Sequence, residues 1–177
     1  MRKILFLDID GVLNTALFHN KVEREKMQDK YGYTFDPAAV KNLKLIFDET
    51  GAELVISSSW KYMGLAKLRE MWKMRNLPGK IADITPDITS KEFLSNADFE
   101  SMNYQSFRGQ EINGWMMLHG KDVSHYAILD DMYDMLPEQQ PHLVWIDSEV
   151  GITGGNAAQA IMILNHLKYE KEDSCNS

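Results

Sequence analysis

Residues 3–12, Lys-Ile-Leu-Phe-Leu-Asp-Ile-Asp-Gly-Val, decide the fold of this 177-residue chain. Residues 3–9 form a nearly continuous apolar run, which is typical of a strand buried on both faces of a sheet. If the strand ends at Asp8, the chain can turn at Gly11 and direct two carboxylates and the Asp10 carbonyl toward one point. The stretch therefore predicts a buried strand with an acidic site at its carboxyl end.

Three later segments repeat this apolar character, at residues 53–57, 125–129 and 142–146. Helical patterns separate them. Asp36-Pro37 predicts the start of one helix and Gly51 its end. Apolar residues at helical spacing predict a second helix from Leu65, Leu68, Met71 and Trp72, and a third from Ile112, Trp115 and Met116. A capping box of Asn156 and Gln159 predicts the start of a fourth helix, whose apolar face would be Ala157, Ala160, Ile161, Leu164 and Leu167. Strands that alternate with helices predict an α/β fold with a mainly parallel sheet.

Two segments fit this alternation less well. Residues 14–35 are polar, and we expect a helix around Val22–Lys30. Residues 76–107 are rich in Pro, Gly, Ser, Asn and Asp, and both segments could be small insertions over the edge of the sheet. No linker divides the chain, so we expect a single domain over residues 1–170 and a polar tail over 171–177.

Composition restricts the function. Lys plus Arg number 19 and Asp plus Glu 26, so the formal net charge is −7, which argues against extended nucleic-acid binding. The single cysteine, Cys175, excludes a disulfide framework and a zinc site built on cysteines. No apolar run is long enough to span a membrane. We expect a cytoplasmic protein.

Polar residues follow the other apolar runs. Ser57 and Ser58 supply hydroxyl groups, and Asp130-Asp131 supply an acidic pair, with Asp134 three residues further on. Carboxyl ends of parallel strands meet at one edge of the sheet, so these groups should lie near Asp8. Adjacent buried carboxylates repel each other unless a cation lies between them, and oxygen ligands favour Mg²⁺.

These motifs together resemble the haloacid dehalogenase (HAD) superfamily of phosphotransferases. The resemblance rests on Asp8-Ile9-Asp10-Gly11-Val12, on Ser57 after a strand, on Arg108 at the start of a helix, and on Asp130-Asp131. Lys61 and Lys91 are alternatives to Arg108. The resemblance implies a HAD-like Rossmannoid three-layer α/β/α sandwich with small cap insertions. Leu-Asp-Ile-Asp-Gly-Val-Leu-Asn, Ser-Ser-Ser-Trp and Arg-Gly-Gln-Glu-Ile are similar to a small-capped branch that includes multidomain RNA-repair proteins.

The resemblance also implies roles for these residues. Asp8 would attack phosphorus and form an aspartyl phosphate, while Asp10 would act as general acid and base. Asp8, the Asp10 carbonyl, and Asp130 or Asp131 would hold Mg²⁺. Ser57, or Ser58 if the strand ends one residue later, would bind the phosphoryl oxygens with Arg108.

The leading hypothesis is a Mg²⁺-dependent phosphomonoesterase acting on a phosphorylated small molecule. A phosphatase that processes nucleic-acid termini is the alternative among enzymes, and a non-catalytic metal- or phosphate-binding module is the alternative of another class. Trp60 is interpreted mainly as a packing residue and Asp147 as a turn residue. The five histidines lack metal-ligand spacing and are interpreted as structural.

Overall fold

A computed structural model describes residues 1–21, 27–88 and 107–167. Its centre is a five-stranded sheet in the order β5-β4-β1-β6-β7, and every neighbouring pair is parallel. The strands are β1 (Arg2–Leu7), β4 (Glu53–Ile56), β5 (Ile81–Ile84), β6 (Val123–Asp130) and β7 (Leu143–Trp145). β1 is central, and its last four residues are fully buried. The mainly parallel sheet is thereby confirmed.

Helices cover both faces of the sheet. These helices are α2 (Pro37–Thr50), α3 (Leu65–Met74), α4 (Phe107–His119) and α5 (Gly154–His166), and a short helix α1 (Ala16–Lys21) follows the loop after β1. On one face, α2, α3 and α5 pack against Leu5 and Leu7. On the other face, α4 packs against Ile4 and Phe6 through Ile112, Trp115 and Met116. The predicted three-layer α/β/α sandwich is confirmed. No helix among the described residues is long and apolar enough to cross a bilayer.

The predicted boundaries of α2 are confirmed. The Asp36 carboxylate accepts a hydrogen bond from the Ala38 amide at 2.8 Å, and Pro37 occupies the first helical position. Gly51 ends the helix in the left-handed region with φ of 64°.

The predicted cap of α5 is wrong by three residues. The capping box consists of Thr153 and Asn156: the Asn156 amide donates to Thr153 Oγ1 at 3.2 Å, and the Thr153 amide donates to Asn156 Oδ1 at 2.9 Å. Two glycines after Thr153 hide this start, because glycine is a poor helix former. Ile161 packs against the core only partly buried, Ile163 is buried although it was not predicted to be, and Leu167 lies beyond the helix end.

The segment 14–35 contains a hairpin. β2 (Gln28–Asp29) pairs with β3 (Gly32–Tyr33) in antiparallel fashion, so the predicted helix is wrong there, and residues 22–26 lie outside the described residues. Arg75 fixes the hairpin because its guanidinium forms two hydrogen bonds with Asp29, at 2.8 and 2.9 Å. The two strands of the hairpin have two residues each, which is too short to leave a periodic signal in a sequence window.

The segment 76–107 contributes the fifth strand of the sheet. β5 was not predicted because only Ile81 among its four residues is fully buried, as befits an edge strand. Residues 89–106, which include Lys91, lie outside the described residues, as do residues 168–177 with Cys175 and the polar tail. The single domain over 1–170 stays a prediction.

Candidate active site

Three polar residues form one row where neighbouring strands end. Leu7 of β1 is in register with Ile56 of β4 and Leu129 of β6, so Asp8, Ser57 and Asp130 follow at the same level. The Asp8 amide donates to the Leu129 carbonyl at 3.0 Å, and the Ser57 amide donates to the Leu7 carbonyl at 2.9 Å. Side chains alternate along strands, so all three side chains lie on the α4 side of the sheet.

Three carboxylates converge at this row. Oxygen atoms of Asp8, Asp130 and Asp131 lie within 4.8 Å of one another. Asp8 and Asp130 are buried, and Asp131 is half-buried. Burial raises the pKa of all three carboxyl groups, and the charge of Asp8 raises the pKa of Asp130 further. The arrangement is therefore electrostatically unfavourable unless positive charge is nearby.

Arg108, in the first turn of α4, supplies part of that charge. Its Nη2 lies 3.4 Å from Asp8 Oδ1, and its Nε lies 3.0 Å from Asp130 Oδ2. The second contact is an ion pair without hydrogen-bond geometry, so both buried atoms have no hydrogen-bond partner among the described residues. The Arg108 charge lowers the pKa of both carboxyl groups and so opposes the effect of burial.

Asp134 fixes the position of Arg108 and lies outside the group of three carboxylates. Its Oδ2 accepts a hydrogen bond from the Arg108 amide at 3.1 Å, and its carbonyl accepts one from the Gly109 amide at 3.0 Å. The carboxylate thus satisfies the free Arg108 amide at the start of α4 and interacts favourably with the helix dipole, while the backbone carbonyl satisfies the Gly109 amide. Asp134 thereby holds the helix end that presents the guanidinium.

Asp10 lies on the exposed side of the cleft, apart from the three clustered carboxylates. Both of its carboxylate oxygens accept hydrogen bonds: Oδ1 from Asn14 Nδ2 at 2.8 Å, and Oδ2 from the Trp60 indole N–H at 2.9 Å. Trp60 also packs edge-on against Phe35, with ring centroids 5.6 Å apart. The interpretation of Trp60 as a packing residue is thus incomplete, since it also orients Asp10.

The two serines differ in their surroundings. Ser57 is fully buried, and its hydroxyl has no hydrogen-bond partner among the described residues. Ser58 caps the short helical turn Ser59–Met63, and a hydrogen bond with Asp8 lowers the pKa of that carboxyl group. Ser57 therefore keeps a free hydroxyl in the row of strand ends, while Ser58 is engaged by Asp8.

Lys61 contacts a different group from Arg108. Its buried ammonium pairs with Glu111 and donates to the Pro86 carbonyl at 3.2 Å. Glu111 in turn lies 3.8 Å from Arg108 Nη1, so it holds both cations. Of the three basic residues considered from sequence, Arg108 approaches Asp8, Lys61 contacts Glu111, and Lys91 lies outside the described residues.

Gly11 lets Asp131 approach the turn that follows β1. It has φ of 76°, and a Cβ added there would lie 2.3 Å from Asp131 Oδ2 and 3.0 Å from Ser148 Cβ. Only glycine fits such a close contact in the left-handed region. By contrast, Asp147 is a turn residue, as predicted: its carboxylate accepts from the Glu149 amide at 3.0 Å.

A cleft of about 470 Å³ opens above these groups. Its lining includes Asp8, Asp10, Asn14, Arg108 and Met132. Sequence reasoning did not single out Asn14, Glu111 or the orienting role of Trp60. Trp60 contacts Asp10 across 50 residues, and Glu111 contacts Lys61 across a similar distance, so neither contact has a local signal. Asn14 alone had a local signal, since it lies four residues from Asp10 in the same loop.

The carboxylate group fits a hard divalent cation. The three converging groups all offer carboxylate oxygens. One of these oxygens, the buried Asp130 Oδ2, accepts no hydrogen bond from the described residues and so has a free lone pair for a cation. Oxygen ligands of this kind suit Mg²⁺ or Ca²⁺ rather than a soft metal. The site could therefore hold such an ion between Asp8 and the Asp130-Asp131 pair.

Comparison with known families adds to this geometry. Residues 4–157 match the family described as the HAD domain in Swiss Army Knife RNA repair proteins. The matched range contains β1 from Ile4 onward, the whole of β4 and β6, and every residue of the cleft named above. Comparisons with curated proteins and with solved structures gave no match.

Proposed function

Because the chain belongs to the family of HAD domains in Swiss Army Knife RNA repair proteins, we propose that it is a Mg²⁺-dependent phosphomonoesterase that acts through an aspartyl phosphate. The observation that carries this proposal is the convergence of Asp8, Asp130 and Asp131 within 4.8 Å, with the Arg108 guanidinium beside two of them. A carboxylate nucleophile can approach an anionic phosphate only where positive charge offsets both.

The proposed reaction has two steps. In the first, a carboxylate oxygen of Asp8 forms a bond to phosphorus while the bond to the ester oxygen breaks, and Asp10 gives that oxygen a proton. In the second, Asp10 takes a proton from water, the water oxygen attacks the phosphorus of the aspartyl phosphate, and Asp8 is released with inorganic phosphate. Asn14 and Trp60 hold Asp10 in place for both proton transfers.

The remaining residues of the cleft would bind the phosphoryl group and the Mg²⁺ ion. Arg108, whose guanidinium lies beside Asp8, would bind phosphoryl oxygens, and the Ser57 hydroxyl would donate to one of them. Mg²⁺ held by Asp8, the Asp10 carbonyl, and Asp130 or Asp131 would neutralise charge on the phosphate and on the carboxylates. Asp134 and Glu111 position Arg108 without contacting the phosphate themselves.

A second candidate is a phosphatase that acts on nucleic-acid ends. The family description, which refers to RNA repair proteins, favours it. The net charge of −7 disfavours a long nucleic-acid track, but one terminal phosphate requires only the small site at Arg108. Both candidates share the same chemistry and differ in the leaving group.

The decisive experiment measures hydrolysis of an aryl phosphate by the purified chain with Mg²⁺ and with excess chelator. We expect turnover in Mg²⁺, loss in chelator, and loss in Asp8→Asn. Asp48→Asn is the matched control, since Asp48 is exposed on α2 and, among the residues that the structure describes, pairs only with Lys44. An Asp8→Asn variant as active as the parent would refute the mechanism.

A second measurement separates the roles of the two aspartates. Asp10→Asn should slow turnover by orders of magnitude but keep Mg²⁺ binding in calorimetry, because the backbone carbonyl is the proposed ligand. Loss of Mg²⁺ binding in Asp10→Asn would contradict that assignment. If the parent binds Mg²⁺ but hydrolyses no aryl phosphate, sugar phosphate, nucleotide or phosphorylated oligonucleotide, the non-catalytic binding module is correct.

A further inference from the structure

An exposed aromatic pair lies beside the catalytic cleft. The rings of Tyr133 and Trp145 stack with centroids 5.3 Å apart and planes 10° apart. Tyr133 is 65% exposed and Trp145 is 42% exposed, so the pair leaves aromatic surface open to solvent. Large aromatic side chains are ordinarily buried, so an ordered pair at the surface is an unusual feature.

A hydrogen bond and a short stretch of backbone connect the aromatic pair to the acidic cluster. The Trp145 indole N–H donates to the Asp131 carbonyl at 2.8 Å, and Asn156 Nδ2 donates to the Trp145 carbonyl at 3.2 Å. Asp131 and Met132 both line the cleft, and Tyr133 is the next residue. Successive Cα atoms are about 3.8 Å apart, so the Tyr133 backbone is within about 8 Å of the Asp131 backbone.

We propose that Tyr133 and Trp145 form a stacking platform for the nucleobase of the nucleotide whose phosphate enters the cleft. This inference rests on the proposed function and assigns its substrate class, a phosphomonoester of a nucleoside or of a nucleic-acid end. Every base offers an aromatic face, so stacking recognises nucleotides without regard to sequence. The half-exposed Met132 extends the apolar surface from the platform into the cleft.

The charge of the protein makes stacking a suitable mode of recognition. With a net charge of −7, the chain gains little from a long polyanionic backbone. Stacking depends on apolar contact and does not require surface lysines or arginines. Because the Trp145 ring is held by its indole hydrogen bond and by the Tyr133 ring, little conformational entropy is lost when a base binds.

The test compares substrates with and without a base next to the phosphate. The substrates are an oligonucleotide with a terminal phosphate, the same oligonucleotide with an abasic terminal residue, the corresponding mononucleotide, and glycerol phosphate. The variants are Tyr133→Ala and Tyr133→Phe, which keeps the ring. Met162→Ala, on the exposed face of α5, is the control for loss of a surface apolar group.

We expect Tyr133→Ala to raise the KM for the base-containing substrates about tenfold, with kcat nearly unchanged, because one stacked base is worth about that much. The KM for glycerol phosphate and for the abasic end should stay at the parent value, and Tyr133→Phe should behave as the parent does. Equal effects on all four substrates, or no effect on any, would overturn the platform. A KM effect on the mononucleotide alone would identify free nucleotides, rather than ends, as the ligand.

Binding to the Asp8→Asn variant keeps the two proposals separable. Fluorescence polarisation measures the affinity of this variant, with and without Tyr133→Ala, for the phosphorylated and the abasic oligonucleotides. If the parent hydrolyses glycerol phosphate but the terminal base changes neither KM nor affinity, the platform is refuted and the phosphatase stands. If no substrate is hydrolysed but affinity still depends on the base and on Tyr133, the phosphatase is refuted and the platform stands.

Discussion

The indole N–H of Trp60 donates to Oδ2 of Asp10 at 2.9 Å, although 50 residues separate them in the chain. With Asn14 on Oδ1, this contact fixes the orientation of the proposed general acid. Trp60 itself is held against Phe35. A chain of contacts thus runs from Phe35, in the core on the α2 and α3 side of the sheet, through Trp60 to the Asp10 carboxylate in the cleft.

We predict that Trp60→Phe impairs turnover in proportion to how much the leaving group needs a proton. Phenylalanine keeps the packing against Phe35 but cannot donate to Asp10. Alkyl phosphates, which leave poorly, should lose about tenfold or more in kcat, while an activated aryl phosphate should change little. Steady-state kinetics across a leaving-group series checks this. An equal loss for all leaving groups would show that Trp60 is purely structural.

We predict that Gly11→Ala weakens the metal site more than it weakens the fold. A Cβ at Gly11 would meet Asp131 Oδ2 at 2.3 Å and displace a proposed ligand. Gly51→Ala is the control, because Gly51 also has positive φ but no atom of the described residues lies within 4 Å of the added Cβ. Each variant should lose about 1–2 kcal/mol of stability from backbone strain. Calorimetric titration should show reduced Mg²⁺ affinity in Gly11→Ala only.

We predict that Asp130→Asn raises the free energy of unfolding of the metal-free protein. We also predict that Mg²⁺ raises the free energy of unfolding of this variant by less than it does for the parent. Asp130 is fully buried, and its charge is disfavoured by desolvation and by Asp8 even though Arg108 is close. The neutral amide removes that cost, so the free energy of unfolding at pH 7.5 should rise by about 1 kcal/mol. Denaturant unfolding with and without Mg²⁺ measures both quantities. A destabilised variant would show that the Arg108 pair outweighs the repulsion.

We predict that the stabilisation by Mg²⁺ grows as pH rises. Burial raises the pKa of Asp8 to about 6 and that of Asp130 to about 7, whereas both titrate near 3.8 when unfolded. The folded state therefore binds protons on these two carboxyl groups more tightly than the unfolded state does. The contribution of the protonated groups to the free energy of unfolding is lost as pH rises from about 4 to about 7. Mg²⁺ requires the ionised carboxylates, so it should restore stability mainly above that window.

The measurement is the difference in melting temperature between Mg²⁺ and chelator at each pH from 5 to 8. Taking the difference removes contributions common to both conditions. His142 is one such contribution: burial lowers its pKa, so its effect on stability has the opposite sign, a loss as pH falls below 6.5. A difference that does not vary with pH would contradict the assignment of Asp8 and Asp130 as ligands.

We predict that Arg108→Lys lowers phosphate affinity while leaving the fold intact. A lysine ammonium is a compact charge and cannot contact Asp8 and Asp130 with separate nitrogens, as Nη2 and Nε do. The KM for an aryl phosphate should rise about tenfold, and competitive inhibition by inorganic phosphate should weaken to a similar degree. Arg69→Lys is the control, since within the described part of the chain Arg69 donates only to the carbonyls of Ile81 and Ala82.

Local patterns in the sequence were sufficient to predict four of the five strands of the central sheet. β1, β4, β6 and β7 are short apolar runs between helical periodicities, and burial on both faces leaves that signature. Asp8, Ser57 and Asp130 were predicted to lie together because each follows a strand and the strands are parallel. Asp36 and Gly51 marked the limits of α2 because capping chemistry is local.

Only the tertiary structure decided how those residues are used. The hydrogen bond from Trp60 to Asp10, the choice of Arg108 over Lys61 beside Asp8, and the stacking of Tyr133 on Trp145 join residues that are distant in sequence. The edge strand β5 was also missed, as was the contact of Arg75 with Asp29 across 46 residues that holds the hairpin. The cap of α5 is local and was missed for a different reason, the two glycines that follow Thr153. A sequence shows the periodicity of apolar and polar residues along each strand and helix, because that periodicity follows from backbone geometry. It does not show which side chains from different elements come into contact, because those contacts are decided by packing across the whole fold.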